Sequence, residues 1–234
     1  MKKILVLALS ALVAGSIAKA DYSLSSDLTY TTEYVFRGVQ LGDNTLHPSI
    51  ELTQNDFYIG MWAALPIDQV ESKGWSEEFD FYVGYTKELS DKASLDLGVT
   101  YYYYPDGNVD ESTEAYVGLT FDVAGFTPAA YVYHDFDLEV TTYQGSVGYS
   151  IPMAGAGTSV DLSVTYGHVD PDEGDSYKYY GASAQIPYKL NENATLTFGI
   201  HWADNDIGTI FDGENAFDVE DDFIYYTAGV TIGF

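Results

Sequence analysis

The 234-residue chain has no cysteine, so no disulfide staples it, although its opening residues point to a compartment where disulfides could form. It is also short of bases, with nine Lys and Arg against 36 Asp and Glu, and Arg37 is its only arginine. Three bases, Lys2, Lys3 and Lys19, fall in the first twenty residues, which leaves six against 36 acids and a formal charge of −30 beyond them. So acidic a chain excludes nucleic acid as a partner, because phosphate binding needs a basic surface; it attracts cations instead. Beyond residue 20 no apolar run approaches the roughly 18 residues of a spanning helix; the longest covers Phe57 to Leu65. Acidic chains can be disordered, but those are poor in aromatics, and this one holds 22 Tyr, 12 Phe and three Trp. The acids are concentrated between aromatic segments, so the chain folds, and closed strand pairing can replace the missing disulfides.

The start reads as a secretory signal over residues 1–20. Met1-Lys-Lys3 is basic, Ile4 to Val13 is apolar, and Ala18-Lys-Ala20 presents small residues to a signal peptidase. Residues 21–234 contain no linker and form one domain.

Twelve segments carry the pattern of strands, near 24–36, 46–54, 57–65, 77–87, 93–104, 112–121, 126–135, 138–150, 159–168, 177–188, 194–203 and 222–234. One face is oily, as in Phe79-Phe81-Val83-Tyr85, Leu95-Leu97-Val99-Tyr101, Val160-Leu162-Val164-Tyr166 and Leu196-Phe198-Ile200-Trp202. The opposite faces hold Gly, Ser, Thr and Tyr with scattered carboxylates, as in Glu78-Asp80-Tyr82-Gly84-Thr86. A soluble sandwich would carry many Lys and Glu on its outer face. Small polar residues suit a confined wet interior, so the oil faces lipid and the polar rows face a lumen. The fold class is all-β: an antiparallel up-and-down transmembrane barrel of twelve strands. Connections at 37–45, 66–76, 105–111, 136–137, 169–176 and 204–221 are mostly longer and more acidic than those at 55–56, 88–92, 122–125, 151–158 and 189–193. Long acidic loops belong outside and short turns in the periplasm, which places the chain in a bacterial outer membrane. The last segment alternates to its end through Val230, Ile232 and Phe234. It resembles the C-terminal assembly signal of outer-membrane barrels, in which a final Phe closes the barrel beside the first strand.

Tyr34-Val-Phe-Arg-Gly-Val-Gln-Leu-Gly-Asp-Asn44, followed by Phe57-Tyr-Ile-Gly-Met-Trp-Ala-Ala64, resembles the hallmark of the TorF-like porins, also known as the Gcw_chp domain. That resemblance implies an outer-membrane barrel and a pore, with no established substrate. Leu41-Gly42 departs from the family pattern, where relatives often show a Thr near the Gln.

Arg37 follows Phe36; if Phe36 faces lipid, Arg37 faces the lumen with Glu33, Thr31 and Asp27. There it either fixes carboxylates at a constriction or contacts a passing anion, or it forms an internal ion pair that tightens the wall or anchors the external loop. Glu51, Glu78, Asp80, Asp96, Glu114 and Asp161 share the inward rows, and rings of Asp and Glu in a wet pore favour cations. Glycines 84, 98, 118, 148, 181 and 199 leave space for water, while Tyr58, Trp62, Tyr82 and Tyr116 are able to fill it. Asp170, Asp172, Glu173 and Asp175 offer oxygen ligands for loosely bound Ca2+ or Mg2+, but they match no calcium-loop template and read better as a solvated face. The histidines show no local Ser/His/acid arrangement, which argues against a lipid hydrolase. The reading is a passive channel for small polar solutes or cations, without a cofactor or catalytic residues. Its partners are outer-membrane lipids, lipopolysaccharide and the barrel-assembly machinery. The alternative is a non-conducting barrel whose acidic loops bind partners or divalent ions.

Overall fold

The computed structural model describes residues 22–67, 77–105, 109–212, 215–218 and 221–234. The leader 1–20 and most of the connection 66–76 lie outside the described residues. Twelve strands close into one antiparallel barrel. They are β1 (Tyr22–Phe36), β2 (Val39–Gln54), β3 (Phe57–Pro66), β4 (Glu78–Ser90), β5 (Ala93–Tyr103), β6 (Ser112–Phe121), β7 (Phe126–Asp135), β8 (Val140–Met153), β9 (Thr158–Pro171), β10 (Tyr177–Lys189), β11 (Ala194–Asn205) and β14 (Asp222–Gly233). Two short strands, β12 (Thr209–Asp212) and β13 (Asn215–Asp218), make a separate hairpin within the connection 204–221.

Each wall strand pairs with its sequence neighbours, and β1 pairs with β14 from Ser25↔Gly233 to Thr31↔Thr227. Phe234 completes that seam: its N–H donates to the Leu24 carbonyl at 2.8 Å, and its own carbonyl accepts from the Leu24 N–H at 3.2 Å. Closure leaves no wall strand with an unpaired edge, which is the condition for sheet to cross hydrocarbon. The oily rows point away from the lumen: Val83, Val164 and Ile224 are 50, 57 and 58% exposed, and Phe81, Leu97, Val117, Tyr149 and Phe198 join them. Among the described residues no protein layer covers this belt, the arrangement a lipid-facing barrel wall has.

The dry part of the interior lies at one end. Ala63, Ala64, Val169, Tyr179, Ala203 and Phe223 are buried there, as are Thr31, Thr45, Glu78, Ser112, Glu114, Asp135, Thr142 and Asn205. All lie near the strand ends joined by the longer connections, here the loop end; the opposite end is the turn end.

The reason is a hairpin. The segment 37–45, expected as an external connection, is instead mostly strand, and β2 begins at Val39 rather than near residue 46. Arg37 and Gly38 alone form the turn, with Val35↔Gln40 and Phe36↔Val39 paired behind them. Both turn residues have left-handed backbone, φ 49° and 79°, the pair of angles whose twist suits a two-residue hairpin turn. Pairing of β1 with β14 stops at Thr31, and that of β2 with β3 stops at Thr45. Residues between those points leave the wall through a register shift at Tyr34/Val35 and a left-handed Asn44. The connection placed at 136–137 runs from 136 to 139.

Candidate functional site

The hairpin folds inward across the loop end. Asn205 on β11 donates its Nδ2 to the Gly38 carbonyl at 2.7 Å, a buried contact. On the far wall, Arg37 Nη2 lies 2.7 and 2.9 Å from the two carboxylate oxygens of Glu114 on β6, with side chains 13 and 4% exposed. The guanidinium carbon stands 4.8 Å from the Tyr133 ring centre on β7 and 4.7 Å from the Phe36 ring centre. Glu114 also accepts from the Tyr102 hydroxyl at 3.1 Å. Charged, hydrogen-bonded and flanked by two rings, the pair is held from several sides. Phe36 does not face lipid: its ring packs edge-on to Tyr102, an inward residue of β5, at 6.4 Å, because the tip has left the wall.

Tyr34 fills the space between hairpin and wall. Its ring meets His47 at 5.0 Å and Trp62 at 5.5 Å, and its hydroxyl donates to Glu78 at 3.1 Å. Glu78 accepts a second bond from Tyr104 at 3.3 Å. Asp80, two residues along β4, has one carboxylate oxygen buried without a partner among the described residues. Beside the tip lies a cavity of about 300 Å³, lined by Phe36, Arg37, Glu78, Tyr102, Glu114 and Asp135 among others.

Below the hairpin, one half of the lumen is built from tyrosines lying on glycines. Tyr58 stands opposite Gly84, Tyr82 opposite Gly60, Tyr116 opposite Gly98, and Tyr131 opposite Gly118. A Cβ added at any of these glycines would come within 2.1–2.5 Å of the facing ring. Glycines 84, 98 and 118 therefore seat rings rather than leaving room for water, and so does Gly167 beneath Tyr179. Laid against the wall, the hydroxyls converge on carboxylates. Asp96 accepts from Tyr58 at 2.8 Å, Thr86 at 3.2 Å and Tyr131 at 3.3 Å, while Glu51 accepts from Tyr82 at 3.1 Å. The Tyr58 and Tyr116 hydroxyls meet at 2.5 Å.

The other half, from β8 through β11 and β14 to β1, carries more hydroxyls and fewer rings, although His201 covers Gly199 and stacks on Tyr225 at 4.8 Å. Ser163 bonds Ser183 at 2.8 Å, and the space over Gly148 and Gly181 is open to at least 3.7 Å. Asp27 accepts from Thr29 and Thr231, each at 2.8 Å, and Asp161 from Ser150 at 2.6 Å and Ser159 at 2.8 Å. Glu33 lies on the hairpin stem, paired with Asp43 across it. The structure thus gathers Arg37, Glu78, Asp80 and Glu114 at the loop end, while Asp27, Glu51, Asp96 and Asp161 are spread along the wall below. Sequence reasoning passed over Tyr131, Tyr133 and Asp135, although their spacing of two places them on one inward row.

His134 Nδ1 pairs with Thr141 at 3.0 Å, and His168 Nδ1 is buried without a partner among the described residues. Among the described residues neither is hydrogen-bonded to a serine. Among the described residues no group of three or more His, Asp or Glu converges to hold a metal ion. Asp170, Asp172, Glu173 and Asp175 are exposed, with Asp170 in β9 paired to Thr141 and Asp172 donating its N–H to the Glu139 carbonyl.

Residues 16–231 match the family described as "Bacterial protein of unknown function (Gcw_chp)". No curated protein matches the sequence. Among solved structures, the KdgM porin shares 11% identity at a TM-score of 0.60, over 90% of this chain and 99% of its own. The NanC porin shares 14% at 0.54, over 89 and 98%. KdgM in complex with disordered oligogalacturonate shares 10% at 0.57, over 91 and 99%. At such identities the likeness is one of fold, and that fold is the porin barrel.

Proposed function

We propose that this chain, which belongs to the Gcw_chp family, is an outer-membrane channel for passive diffusion of small polar solutes that favours cations. One observation carries the reading. Asp27, Glu51, Asp96 and Asp161 are distributed along the inward rows, and Arg37, the one arginine, is already engaged by Glu114. Carboxylates lining a wet pore draw cations in and repel anions. The porin barrel and the lipid-suited belt support the location, and the hydroxyl-rich half of the lumen, with open space over Gly148 and Gly181, is the proposed water path. In this setting the acidic loops meet lipopolysaccharide phosphates through divalent cations, and the barrel-assembly machinery is the partner in insertion. Planar-bilayer recordings under a KCl gradient test the proposal. A reversal potential of the sign for cation preference is expected, and anion preference would overturn it.

The inward hairpin favours a second reading, a barrel closed at its loop end that serves as an interaction platform. Recordings from a variant lacking residues 33–43 separate the two. Conductance in the intact chain supports a channel, whereas conductance only after deletion supports a plugged barrel.

A further inference from the structure

We infer that the loop-end cavity is a binding site for small organic cations bearing a guanidinium or ammonium group, and that the Arg37 side chain is its tethered occupant. This deepens the channel reading and rests on it only for the route by which the cation arrives.

The wall around Arg37 has the chemistry of a cation receptor. Glu114 presents both oxygens, Tyr102 braces that carboxylate, and the Tyr133 ring faces the guanidinium carbon at 4.8 Å. Tyr133 is itself stacked on Tyr131, with centroids 5.7 Å apart and planes at 17°, so its face is fixed before any cation meets it. An aromatic face combined with a buried carboxylate recognises organic cations better than bare metal ions, which demand several oxygens. The chain's own guanidinium, seated there, demonstrates the fit.

What makes this a site rather than a closed ion pair is the space beside it. The cavity of about 300 Å³ is at the lower end of small-molecule pockets. It continues past Arg37 to Glu78 and Asp135. Asp135 accepts the N–H groups of Asp137 and Leu138, both on Oδ1. Glu78 is held by the Tyr34 and Tyr104 hydroxyls. A solute with cationic groups at both ends can take one of these carboxylates while its other end competes with Arg37 for Glu114. With Arg37 engaged, the charged groups left in the lining are carboxylates set in a wall of Val39, Leu41 and Leu138, so it repels anions. Because Arg37 sits on a two-residue turn, its displacement moves the hairpin tip as well, linking occupancy to the width of the mouth.

Titration of the detergent-folded barrel with agmatine, followed by calorimetry, tests the inference. Glucose and sodium glutamate serve as neutral and anionic controls. Saturable agmatine binding is expected, about tenfold tighter in Arg37→Ala, where the internal competitor is gone, and at least tenfold weaker in Glu114→Gln. Tyr133→Leu, which keeps the carboxylate, should weaken binding also, and it replaces Glu114→Gln if that variant does not fold. Absence of binding in both wild type and Arg37→Ala overturns the inference, as does equal affinity in Arg37→Ala and Tyr133→Leu. Bilayer recordings on the same preparations keep the two proposals apart. A conducting barrel that ignores agmatine sinks only the cation site, and a silent barrel that binds it sinks only the channel.

Discussion

Arg37 and Glu114 meet across the barrel although 77 positions separate them, and each removes the other's charge from the interior. Cutting one partner leaves the other buried and unpaired, at a cost of about 3–5 kcal/mol. Arg37→Ala is therefore expected to lower the unfolding midpoint and, by freeing the tip, to raise single-channel conductance. Glu114→Gln leaves the guanidinium buried without its counter-charge and is expected to lower the midpoint as well. Denaturant titration beside bilayer recording checks both.

Gly38 is the tightest point of the seated tip. A methyl there would stand 2.6 Å from Tyr179 Cβ and 3.1 Å from the Asp204 carbonyl, on a backbone with φ of 79°. Gly38→Ala should unseat the hairpin while the twelve-stranded wall survives. The expected signature is a heat-modifiable barrel with larger conductance than the parent.

The tyrosine-on-glycine pairs give a contrasting expectation. In Gly84→Ala the new Cβ meets the Tyr58 ring at 2.1 Å, so the ring swings into the lumen and leaves Asp96 and Tyr116. Lower conductance and a loss of about 1–3 kcal/mol are expected. Gly148→Ala, whose nearest neighbour is 3.7 Å away, should leave conductance unchanged. Single-channel traces of the two variants make the comparison.

At the seam, deletion of Phe234 removes two backbone bonds to Leu24, and Val230→Lys puts a charge on the lipid face opposite Leu28 and Leu196. A lysine on that face costs up to about 2–4 kcal/mol at the midplane. Both changes should reduce the yield of folded barrel without altering the conductance of the molecules that fold. Gel mobility with and without heating reports the yield.

The turn end holds the exposed pair Asp56–Lys87, 2.7 Å apart. The Lys87 ammonium holds the Asp56 carboxyl below its ordinary range. A depressed carboxyl stabilises the fold at neutral pH, and that contribution fades as pH falls below about 4. Both groups are about half exposed, so salt screens them. Lys87→Met is expected to lower the thermal midpoint at pH 7 only slightly, a difference that vanishes at acid pH and in about 1 M salt.

The barrel was legible because its signal is local. Alternation along each segment states which side chains meet oil, and the twelve segments could be counted one at a time. The site was legible only in its ingredients. Alternation placed Asp96 and Tyr58 on inward rows, yet their meeting depends on register across several strands, which no single segment encodes. Gly84 and Gly118 read as empty space for the same reason: the rings that occupy them come from neighbouring strands. The inward turn at Arg37 escaped because period-two patterning has two faces and no way to mark departure from the wall. The left-handed angles at Arg37, Gly38 and Asn44 and the register shift at Tyr34/Val35 reveal it in the structure.

The hairpin that crosses the mouth shares one strand, β1, with the seam. β1 joins β14 at one end of its length and carries Arg37 at the other. Its tip can seat only against β6, β7 and β11 already in place, contacts that span nearly the whole chain and form late. Closing the wall and stopping its mouth therefore both depend on β1, and both are expected late in folding. Accessibility of Arg37 to a guanidine-modifying reagent is expected to fall as the tip seats, which makes it a clock for the stopping of the mouth, to be read beside heat-modifiability as the clock for the wall.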